Sequence, residues 1–310
     1  MSRLRRTLLW VNGNDQEKLR RAIDYSNADV IVLELEDMCP ESHKLEARKK
    51  VVEALSTWDF KGKERGVRIN GLDTKWGRDD LEAILPCVPD VIRLPKCETR
   101  DYVIGMDAIL TQYELTHNIP KNKIELILMI ETPLGMTNLY EMATCCERVT
   151  GIGFGAGDFT CAMGIDRDLS VGATQLLYVK QKLAVTAKAA GCQVFDTTVV
   201  CRPDQLESMN DFIRKDCMDI KQMGFSGRSV SMMEQIDIIN DVFAPSQKEV
   251  EVSYRIIEGY AEGLKKGENE IWVDDMFLDP PVIEKAKRIV EFAKQIEEKH
   301  GVLRKTEEAM

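Results

Sequence analysis

Short runs of β-branched and aliphatic residues alternate with helix-like stretches along this 310-residue chain, and this alternation constrains its fold more than any other feature. The spacing is roughly 30 residues per strand–helix unit, which is the size of a crossover between two parallel strands. Several runs are almost continuously apolar, as expected of strands that are buried on both faces. Eight runs occur, at residues 7–11, 30–35, 66–69, 91–94, 124–130, 149–154, 193–195 and 225–230.

Eight strand–helix units favour a closed (β/α)8 barrel, the TIM barrel, over an open doubly wound α/β sheet. We therefore predict a catalytic barrel domain over residues 1–245. Residues 246–310 carry two further helical patterns and predict a C-terminal helical arm.

Local signals predict where helices begin and which faces they bury. Asn14 followed by Glu17 predicts the cap of the first helix, and Ser246 with Glu249 forms a capping-box pattern at the start of the arm. The first helix of the arm is expected to bury one stripe of residues, namely Val250, Tyr254, Ile257, Ala261 and Leu264.

Composition narrows the classes of function. Lys plus Arg is 42 and Asp plus Glu is 52, so the net charge of −10 disfavours a nucleic-acid partner, which needs a basic face. No apolar run approaches the roughly 18 residues of a membrane span, and no secretion signal is recognisable, so we expect a cytoplasmic protein without a membrane partner. The nine cysteines form no C-x-x-C pair and the three histidines no H-x-x-x-H pair, so a bound metal would be held by carboxylates.

Charged residues follow five consecutive predicted strands. In a TIM barrel the chemistry gathers where the strands end, so these side chains are expected to share one rim. The strand ends read Glu34-Leu35-Glu36-Asp37, Arg68-Ile69-Asn70, Arg93-Leu94-Pro95-Lys96, Glu131-Thr132 and Gly157-Asp158.

Glu131 and Asp158 end neighbouring strands and are the candidate metal ligands. Two carboxylates without a nearby histidine form a hard oxygen site, which suits Mg²⁺ or Mn²⁺ better than Zn²⁺. In the alternative interpretation, Glu131 caps the helix that starts after Thr132. Arg68 likewise has two interpretations: it grips a substrate carboxylate with its guanidinium fork, or it forms a structural ion pair with Glu36 or Asp37.

The glycine-rich stretch 151–158 resembles a loose dinucleotide-binding fingerprint. We reject this reading, because we expect no helix to open there and no acidic residue ends a strand about 20 residues further on. The glycines are instead expected to let the backbone approach a ligand.

Several motifs in order resemble the citrate lyase β-subunit family, within the larger aldolase/citrate lyase group that also contains malyl-CoA and citramalyl-CoA lyases. The resemblance extends from about residue 3 to 296, and the order of the motifs makes it specific. The motifs are Arg5-Arg6-Thr7-Leu8-Leu9, Leu33-Glu34-Leu35-Glu36-Asp37, Val67-Arg68-Ile69-Asn70, Leu94-Pro95-Lys96, Ile130-Glu131-Thr132, Gly155-Ala156-Gly157-Asp158-Phe159 and Gly224-Phe225-Ser226-Gly227.

The resemblance implies a Mg²⁺-dependent carbon–carbon lyase. It would cleave a citryl-, malyl- or citramalyl-type thioester to a 2-oxo acid and an acyl thioester, as a homo-oligomer, a trimer or hexamer, whose C-terminal arm packs on a neighbouring subunit. The resemblance also implies roles for single residues. Glu131 and Asp158 would bind the metal, Arg68, Gly157 and Asp158 the substrate, and Glu36 and Asp37 would orient metal-bound water.

Asp279 matches the family's C-terminal aspartate, which is contributed to a neighbouring site and would protonate the enolate carbon. An aspartate before two prolines is equally a good helix N-cap, and both readings stay open.

The sequence departs from the family pattern at Trp10, Asn12, Gly157 and residues 231–233. These departures leave the acyl carrier open between CoA, acyl carrier protein and no thioester. Alternative functions are an aldolase on free 2-oxo acids, a thioesterase or condensing enzyme on the same scaffold, and a non-catalytic subunit of a larger lyase complex.

Overall fold

A computed structural model of the chain describes residues 3–168, 174–267 and 269–301. Eight parallel strands close into a barrel in chain order, with the last strand paired to the first. The predicted (β/α)8 TIM barrel is therefore confirmed. The strands are β1 (Thr7–Asn12), β2 (Val30–Glu34), β3 (Glu64–Arg68), β4 (Val91–Leu94), β5 (Glu125–Ile130), β6 (Val149–Phe154), β7 (Gln193–Asp196) and β8 (Gly227–Val230).

Helices connect successive strands of the barrel and continue beyond β8. Those of the described residues are α1 (Gln16–Tyr25), α2 (Lys44–Thr57), α3 (Gly77–Ile84), α4 (Arg100–Thr116), α5 (Pro133–Thr137), α6 (Leu139–Ala143), α7 (Ala156–Met163), α8 (Leu177–Ala189), α9 (Asn210–Met223), α10 (Ile236–Phe243), α11 (Gln247–Lys266) and α12 (Pro280–His300).

The inside of the barrel is apolar in the middle and charged at both ends. Its buried apolar cluster consists of Leu8, Val30, Val32, Val91, Ile127 and Phe195, with Trp10 packed against it. Because side chains alternate along a strand, Glu34 and Arg93, each two residues beyond a member of this cluster, face inwards as well.

Arg5 fills the end of the barrel where the strands begin. Its guanidinium donates to Glu64 Oε1 at 2.6 Å, to Glu125 Oε2 at 2.5 Å and to Thr150 Oγ1 at 2.9 Å. These partners stand on three different strands and leave Arg5 only 1% exposed. This charged network closes one end of the barrel.

The cap predicted for the first helix is wrong by one residue. Asp15, not Asn14, is the N-cap of α1, and its Oδ1 accepts from the Lys18 backbone N–H at 2.9 Å. Asn14 instead accepts a hydrogen bond from Lys50 Nζ at 2.8 Å. An aspartate and an asparagine are almost equivalent caps, so the sequence alone does not separate neighbouring candidates.

The chain divides into two compact units, Met1–Asn240 and Asp241–Met310. In the second unit the capping box of Ser246 and Glu249 is present, and Gly267 ends α11 with φ +72°. Between the two helices of this unit, β9 (Trp272–Val273) and β10 (Met276–Phe277) form a hairpin.

The prediction of which residues α11 buries is wrong. The helix buries Ser253, Ile256 and Gly263 instead, one position away along the sequence. On the predicted stripe, Tyr254 and Leu264 are exposed. The apolar pattern of α11 is thus wider than one buried face, and part of it stays uncovered within the second unit.

Two further observations bear on the predicted class of protein. Among the described residues, no helix combines the length and apolar character needed to cross a membrane. All nine cysteines are free thiols, and four of them are buried.

Candidate active site

The carboxyl ends of β2 to β6 bring most of the predicted site residues to one end of the barrel. Glu34 and Arg68 are the last residues of β2 and β3, and their Cα atoms are register partners. Glu131 directly follows β5, and Asp158 lies in the first turn of α7, which follows β6. The strand-end pattern therefore predicted a real cluster.

Arg68 is the centre of this cluster. Its Nε donates to Glu34 Oε2 at 2.6 Å, and its Nη1 lies 3.0 Å from Glu36 Oε2 and 3.8 Å from Glu131 Oε1. Burial alone would lower the pKa of Arg68, but the three carboxylates outweigh it and raise the pKa. Arg68 therefore carries a fixed positive charge among acids.

The structural ion pair considered for Arg68 exists, with Glu36 and with Glu34 rather than with Asp37. Asp37 lies instead near Lys96, whose Nζ is 3.5 Å from Asp37 Oδ1 and 3.3 Å from Glu36 Oε1. Burial alone would lower the pKa of Lys96, but Glu36 and Asp37 raise it to about 12. Lys96 therefore stays charged over the two acids.

The loop that carries Glu36 is held by a buried lysine. Lys44 Nζ donates to the carbonyl oxygens of Leu35 and Glu36, each at 2.9 Å, and to Asn70 Oδ1 at 2.6 Å. Asn70 in turn donates from its backbone N–H to Asp80 Oδ2 at 3.1 Å. These bonds tie the ends of β2 and β3 together, so Glu36 meets Arg68 in a fixed position.

Glu131 is a buried carboxylate with unused bonding capacity. It is 1% exposed, and its Oε2 has no hydrogen-bond partner among the described residues. Removal from water raises its pKa to about 7, further supported by the negative charges of Glu36 and Asp158. A buried oxygen without a donor is costly unless a cation or another donor approaches it.

The alternative role of Glu131 as a helix cap is excluded by the structure. Thr132 is the N-cap of α5, and its Oγ1 accepts from the Gly135 backbone N–H at 3.1 Å. Gly155 leaves the space that Glu131 occupies, since a Cβ on Gly155 would lie 2.8 Å from Glu131 Oε1. Glu131 therefore fits next to Gly155 and does not cap α5.

Asp158 is exposed beside this buried acid. Its charge raises the pKa of Glu131, and it contributes in the same direction to the pKa of Lys96. Gly157 next to it is exposed, and a Cβ there would meet nothing within 4 Å. Open space therefore adjoins Gly157, the residue before Asp158.

The donor set fits a hard divalent cation. No group of three or more His, Cys, Asp or Glu side chains within the described ranges is arranged to hold a metal. Mg²⁺ needs no such cage, because it is usually held by one or two carboxylates and keeps water or substrate oxygens as its other ligands. The unpartnered Glu131 oxygen with Asp158 beside it matches that requirement.

The glycine-rich stretch folds differently from the prediction. A helix does open there, α7, with Gly155 as its N-cap. Gly153 and Gly155 make room for neighbouring side chains rather than for a ligand, since a Cβ on Gly153 would lie 2.7 Å from Arg93 Nη2 and one on Gly155 2.8 Å from Glu131 Oε1. Gly157 differs, because a Cβ there would meet nothing within 4 Å.

Sequence reasoning placed Glu34 and Arg93 at the rim without giving them a role, and it missed Lys44 and Trp10 as members of the cluster. The guanidinium carbons of Arg68 and Arg93 lie 4.3 Å and 4.7 Å from the centroid of the Trp10 ring. Strand parity was the available signal, because a polar residue two positions after an inward apolar residue must also face inwards.

Asp279 lies in the second unit and is the N-cap of α12. Its Oδ1 accepts a hydrogen bond from the Val282 backbone N–H at 3.0 Å. The cap function considered for this residue is therefore real, and it does not exclude a further role.

Comparison with known proteins identifies the family of this chain. Residues 6–232 match the HpcH/HpaI aldolase/citrate lyase family. The chain is 34% identical over 291 residues to the citrate lyase subunit beta of Leuconostoc mesenteroides subsp. cremoris, covering 94% of each chain. It is 29% identical over 306 residues to the mitochondrial citramalyl-CoA lyase of Rattus norvegicus, covering 95% of this chain and 88% of that one.

A solved structure supports the fold. The protein CitE of Mycobacterium tuberculosis, in complex with magnesium, acetoacetate and coenzyme A, superposes with a TM-score of 0.71 at 22% identity, over 94% of this chain and 98% of that one. The barrel, the strand-end cluster and the matched residues 6–232 together show that the chain belongs to the HpcH/HpaI aldolase/citrate lyase family.

Proposed function

We propose that this chain is a Mg²⁺-dependent carbon–carbon lyase that cleaves the thioester of a 3-hydroxy acid, of the citryl, malyl or citramalyl type, into a 2-oxo acid and an acyl thioester. The observation that carries the proposal is the buried Glu131 carboxylate. Its Oε2 has no hydrogen-bond partner in the part of the chain that the structure describes, and its Oε1 lies 3.8 Å from Arg68 Nη1. The family supports it, because the named relatives given above are lyases.

Glu131 and Asp158 would hold the cation. When bound, Mg²⁺ lowers the pKa of the substrate hydroxyl and stabilises negative charge on the departing enolate. Mn²⁺ has the same preference for oxygen ligands and could replace it. Glu36 and Asp37 would orient water at the cation, and Lys96 holds both of these acids in place.

Arg68 would bind the carboxylate of the 2-oxo acid. Its Nε and Nη1 are occupied by Glu34 and Glu36, so Nη2 is the nitrogen that remains for the substrate. A guanidinium fixed in this way loses little conformational entropy when it binds, and its charge favours the oxyanion that forms during cleavage. Gly157 leaves open space on the Asp158 side for the same substrate.

The thioester arm is proposed to lie between the ends of β1 and β8. A cavity of about 450 Å³ is lined there by residues that follow the two strands, among them Lys18, Arg21, Ser231 and Met232. Lys18 Nζ donates to the Ser231 carbonyl oxygen at 3.2 Å. The lining combines the cations Lys18 and Arg21 with apolar side chains and with three acids, namely Asp15, Glu17 and Glu234. CoA is the proposed carrier because the similar CitE structure holds coenzyme A.

The homo-oligomer and the role of Asp279 belong to the same proposal. Exposed apolar side chains in the second unit, Tyr254, Leu264 and Trp272, support an arm that packs on a neighbouring subunit. Asp279 would then donate the proton to the enolate carbon in that neighbour's site.

The test is a turnover assay on citryl-CoA, citramalyl-CoA, malyl-CoA and the corresponding free acids, with detection of the released 2-oxo acid and free CoA. We expect cleavage of at least one thioester, dependence on Mg²⁺, and its loss in Glu131→Gln. Free CoA without a 2-oxo acid would instead show a thioesterase, and cleavage of the free acids an aldolase.

The matched control is Glu141→Gln, which changes an exposed glutamate on α6. Calorimetry of Mg²⁺ binding accompanies the assay, because the variants must differ in metal affinity if Glu131 is a ligand. If the purified chain binds no divalent ion and Glu131→Gln changes nothing, the chain is a non-catalytic subunit and the proposal is wrong.

A further inference from the structure

Asp80 is a fully buried acid in the first turn of α3, outside the strands that carry the candidate site. Its two carboxylate oxygens have different partners. Oδ1 accepts from Arg48 Nε at 2.7 Å, and Oδ2 accepts from the backbone N–H and the side-chain Nδ2 of Asn70, at 3.1 Å and 2.5 Å. Asp80 therefore joins α2, which carries Arg48, to the segment that follows β3.

The bonds of Asp80 also decide which way the Asn70 amide faces. An ionised carboxylate accepts hydrogen bonds and donates none, so the NH2 group of Asn70 must face Asp80. The same Nδ2 donates to the Leu35 carbonyl oxygen at 2.8 Å, and Asn70 Oδ1 is left to accept from Lys44 Nζ at 2.6 Å. If the amide were reversed, the Lys44 ammonium would face a second donor and Asp80 would face an oxygen. Only one orientation of the amide therefore satisfies both neighbours.

Lys44 connects this amide to the candidate site. Its ammonium has three hydrogens, which are donated to Asn70 Oδ1 and to two backbone carbonyl oxygens of the loop that carries Glu36. The Glu36 carboxylate in turn lies 3.0 Å from Arg68 Nη1. A continuous series of hydrogen bonds and one ion pair therefore links Asp80 to the proposed substrate-binding arginine.

Close packing at the start of α3 allows these short bonds. A Cβ on Gly77 would overlap the carbonyl oxygen of Gly71, and it would lie 2.7 Å from that of Asn70. Glycine at this position lets the first turn of α3 touch the segment after β3. This contact brings Asp80 within hydrogen-bond distance of Asn70.

We propose that Asp80 is a positioning residue that holds Glu36 against Arg68. This inference rests on the proposed function, in which Arg68 binds the substrate and Glu36 orients water at the cation. Asp80 acts through the Asn70 amide and the Lys44 ammonium. Changing a residue that orients the groups around a metal costs roughly 10- to 100-fold in metal affinity or activity, and we expect an effect of that size here.

Asp80→Asn is an almost isosteric test of this role. The charged Arg48 guanidinium needs an acceptor, so the new amide keeps its oxygen towards Arg48 and turns its NH2 group towards Asn70. Asn70 must then reverse its own amide or lose this bond. Reversal leaves the Lys44 ammonium facing a donor, and the loop that carries Glu36 loses its fixed position.

The first experiment compares Asp80→Asn with Arg48→Gln. Both weaken the pair of Arg48 and Asp80 and are expected to lower the melting temperature, but only Asp80→Asn changes the partner of Asn70. We measure kcat/KM on the thioester that the wild type cleaves, and Mg²⁺ affinity by calorimetry, well below the melting temperature of each variant. We expect Asp80→Asn to lower kcat/KM by roughly tenfold or more, and Arg48→Gln to stay within about threefold of wild type.

The matched control is Asp79→Asn, which should behave like the wild type. Asp79 is the exposed neighbour of Asp80 in the same turn, and its Oδ2 lies 3.2 Å from Arg48 Nη1. Equal losses of activity in Asp80→Asn and Arg48→Gln would show a merely structural role and overturn the inference. A loss below about threefold in Asp80→Asn overturns it as well.

Lys44→Met tests the same connection from its other end and decides the matter if Asp80→Asn does not fold. It removes the ammonium but leaves the bonds of Asp80 to Arg48 and Asn70 in place. We expect the same fall in kcat/KM as for Asp80→Asn. Wild-type activity of Lys44→Met overturns the inference.

Hydrogen exchange needs no turnover and so separates this inference from the proposed function. Mass spectrometry follows the backbone amides of residues 35–39, among them the Cys39 N–H, which donates to the Glu36 carbonyl oxygen at 3.1 Å. We expect exchange to be faster by roughly tenfold or more in Asp80→Asn and Lys44→Met than in the wild type and the two other variants. Unchanged exchange overturns the inference. Faster exchange in a chain that cleaves no thioester supports the positioning of Glu36 by Asp80 while the proposed lyase activity fails.

Discussion

Arg68 and Glu34 stand opposite each other on β3 and β2, and Arg68 Nε donates to Glu34 Oε2 over 2.6 Å. Glu34 is 0% exposed, and its other oxygen accepts from the Glu36 backbone N–H at 2.7 Å. The pair therefore links the orientation of the proposed substrate-binding arginine to the loop that carries Glu36. Burial raises the pKa of Glu34, so its charge depends on Arg68 in return.

Arg68→Lys is expected to be nearly inactive. A lysine ammonium is a point charge and cannot contact Glu34, Glu36 and a substrate carboxylate in the fork arrangement of a guanidinium. We expect kcat/KM to fall by roughly 100-fold or more and the melting temperature to fall as well, because Glu34 loses its fixed partner. The control is Arg100→Lys at the exposed start of α4. An unchanged kcat/KM in Arg68→Lys would refute the assignment.

Asp158→Asn should abolish turnover with little change in stability. The side chain is exposed, and its substitution is expected to change the free energy of unfolding by about 0.5 kcal/mol or less. Its loss removes one of two proposed metal ligands, so Mg²⁺ affinity measured by calorimetry should fall with activity. Asp211→Asn is the matched control, because Asp211 is also an exposed aspartate in the first turn of a helix, α9. Full activity of Asp158→Asn would count against the site.

Gly155→Ala tests whether the position of Glu131 matters. The added Cβ would lie 2.8 Å from Glu131 Oε1, so the carboxylate must shift. The backbone of Gly155 has φ −102°, which suits alanine, and the effect is therefore steric. We expect a loss of Mg²⁺ affinity of roughly tenfold or more. Gly105→Ala on α4, where a Cβ meets nothing within 4 Å, should bind Mg²⁺ like the wild type. Equal affinities in both variants would disprove the dependence on Glu131.

The pair of Glu114 and Arg148 predicts how stability depends on pH. Glu114 accepts from Arg148 Nη1 at 2.8 Å and from the backbone N–H groups of Asn122 and Ile124 at 2.9 Å and 3.0 Å. Burial alone would raise the pKa of Glu114, but these donors outweigh it and lower the pKa. The stabilisation is therefore present above the ordinary glutamate pKa of about 4.3 and is lost as the pH falls through the lowered value of the folded state.

Glu114→Gln is accordingly expected to lower the free energy of unfolding by about 2 kcal/mol at pH 7, because it removes one of the two acids that pair with the buried Arg148. The other acid, Asp107, remains 2.8 Å from Arg148 Nε. Urea unfolding at pH 7 and at decreasing pH checks this. The difference from wild type should shrink as the acid range is entered. Glu141→Gln, at an exposed position, serves as the reference. A difference that grows towards low pH would contradict the assignment.

The barrel could be predicted from the sequence because its signal is repeated eight times. Each buried parallel strand is an apolar run, and an error at one strand does not change the topology. The signal for a helix cap occurs only once, so an error there is not corrected by other parts of the sequence. Asn14 and Asp15 are adjacent and chemically alike, and only the path of the backbone decides that Asp15 accepts from the Lys18 N–H.

The site could be predicted in part, for a related physical reason. Arg68 ends β3, while Glu131 and Asp158 follow β5 and β6 within a few residues. All three stand out as charges after apolar runs, so their convergence followed from the barrel alone. Arg93 and Glu34 are within or at the ends of such runs, and their importance lies in which partners they have or lack. A partner on another strand depends on register, which the sequence of one chain does not display.

The network around Arg5 limits the side from which a ligand can approach the barrel. Because Arg5, Glu64 and Glu125 fill the end of the barrel where the strands begin, a ligand can approach the Arg68 cluster only from the end where the strands finish. Under the proposed function, the substrate and both products would therefore pass through the end of the barrel where the strands finish.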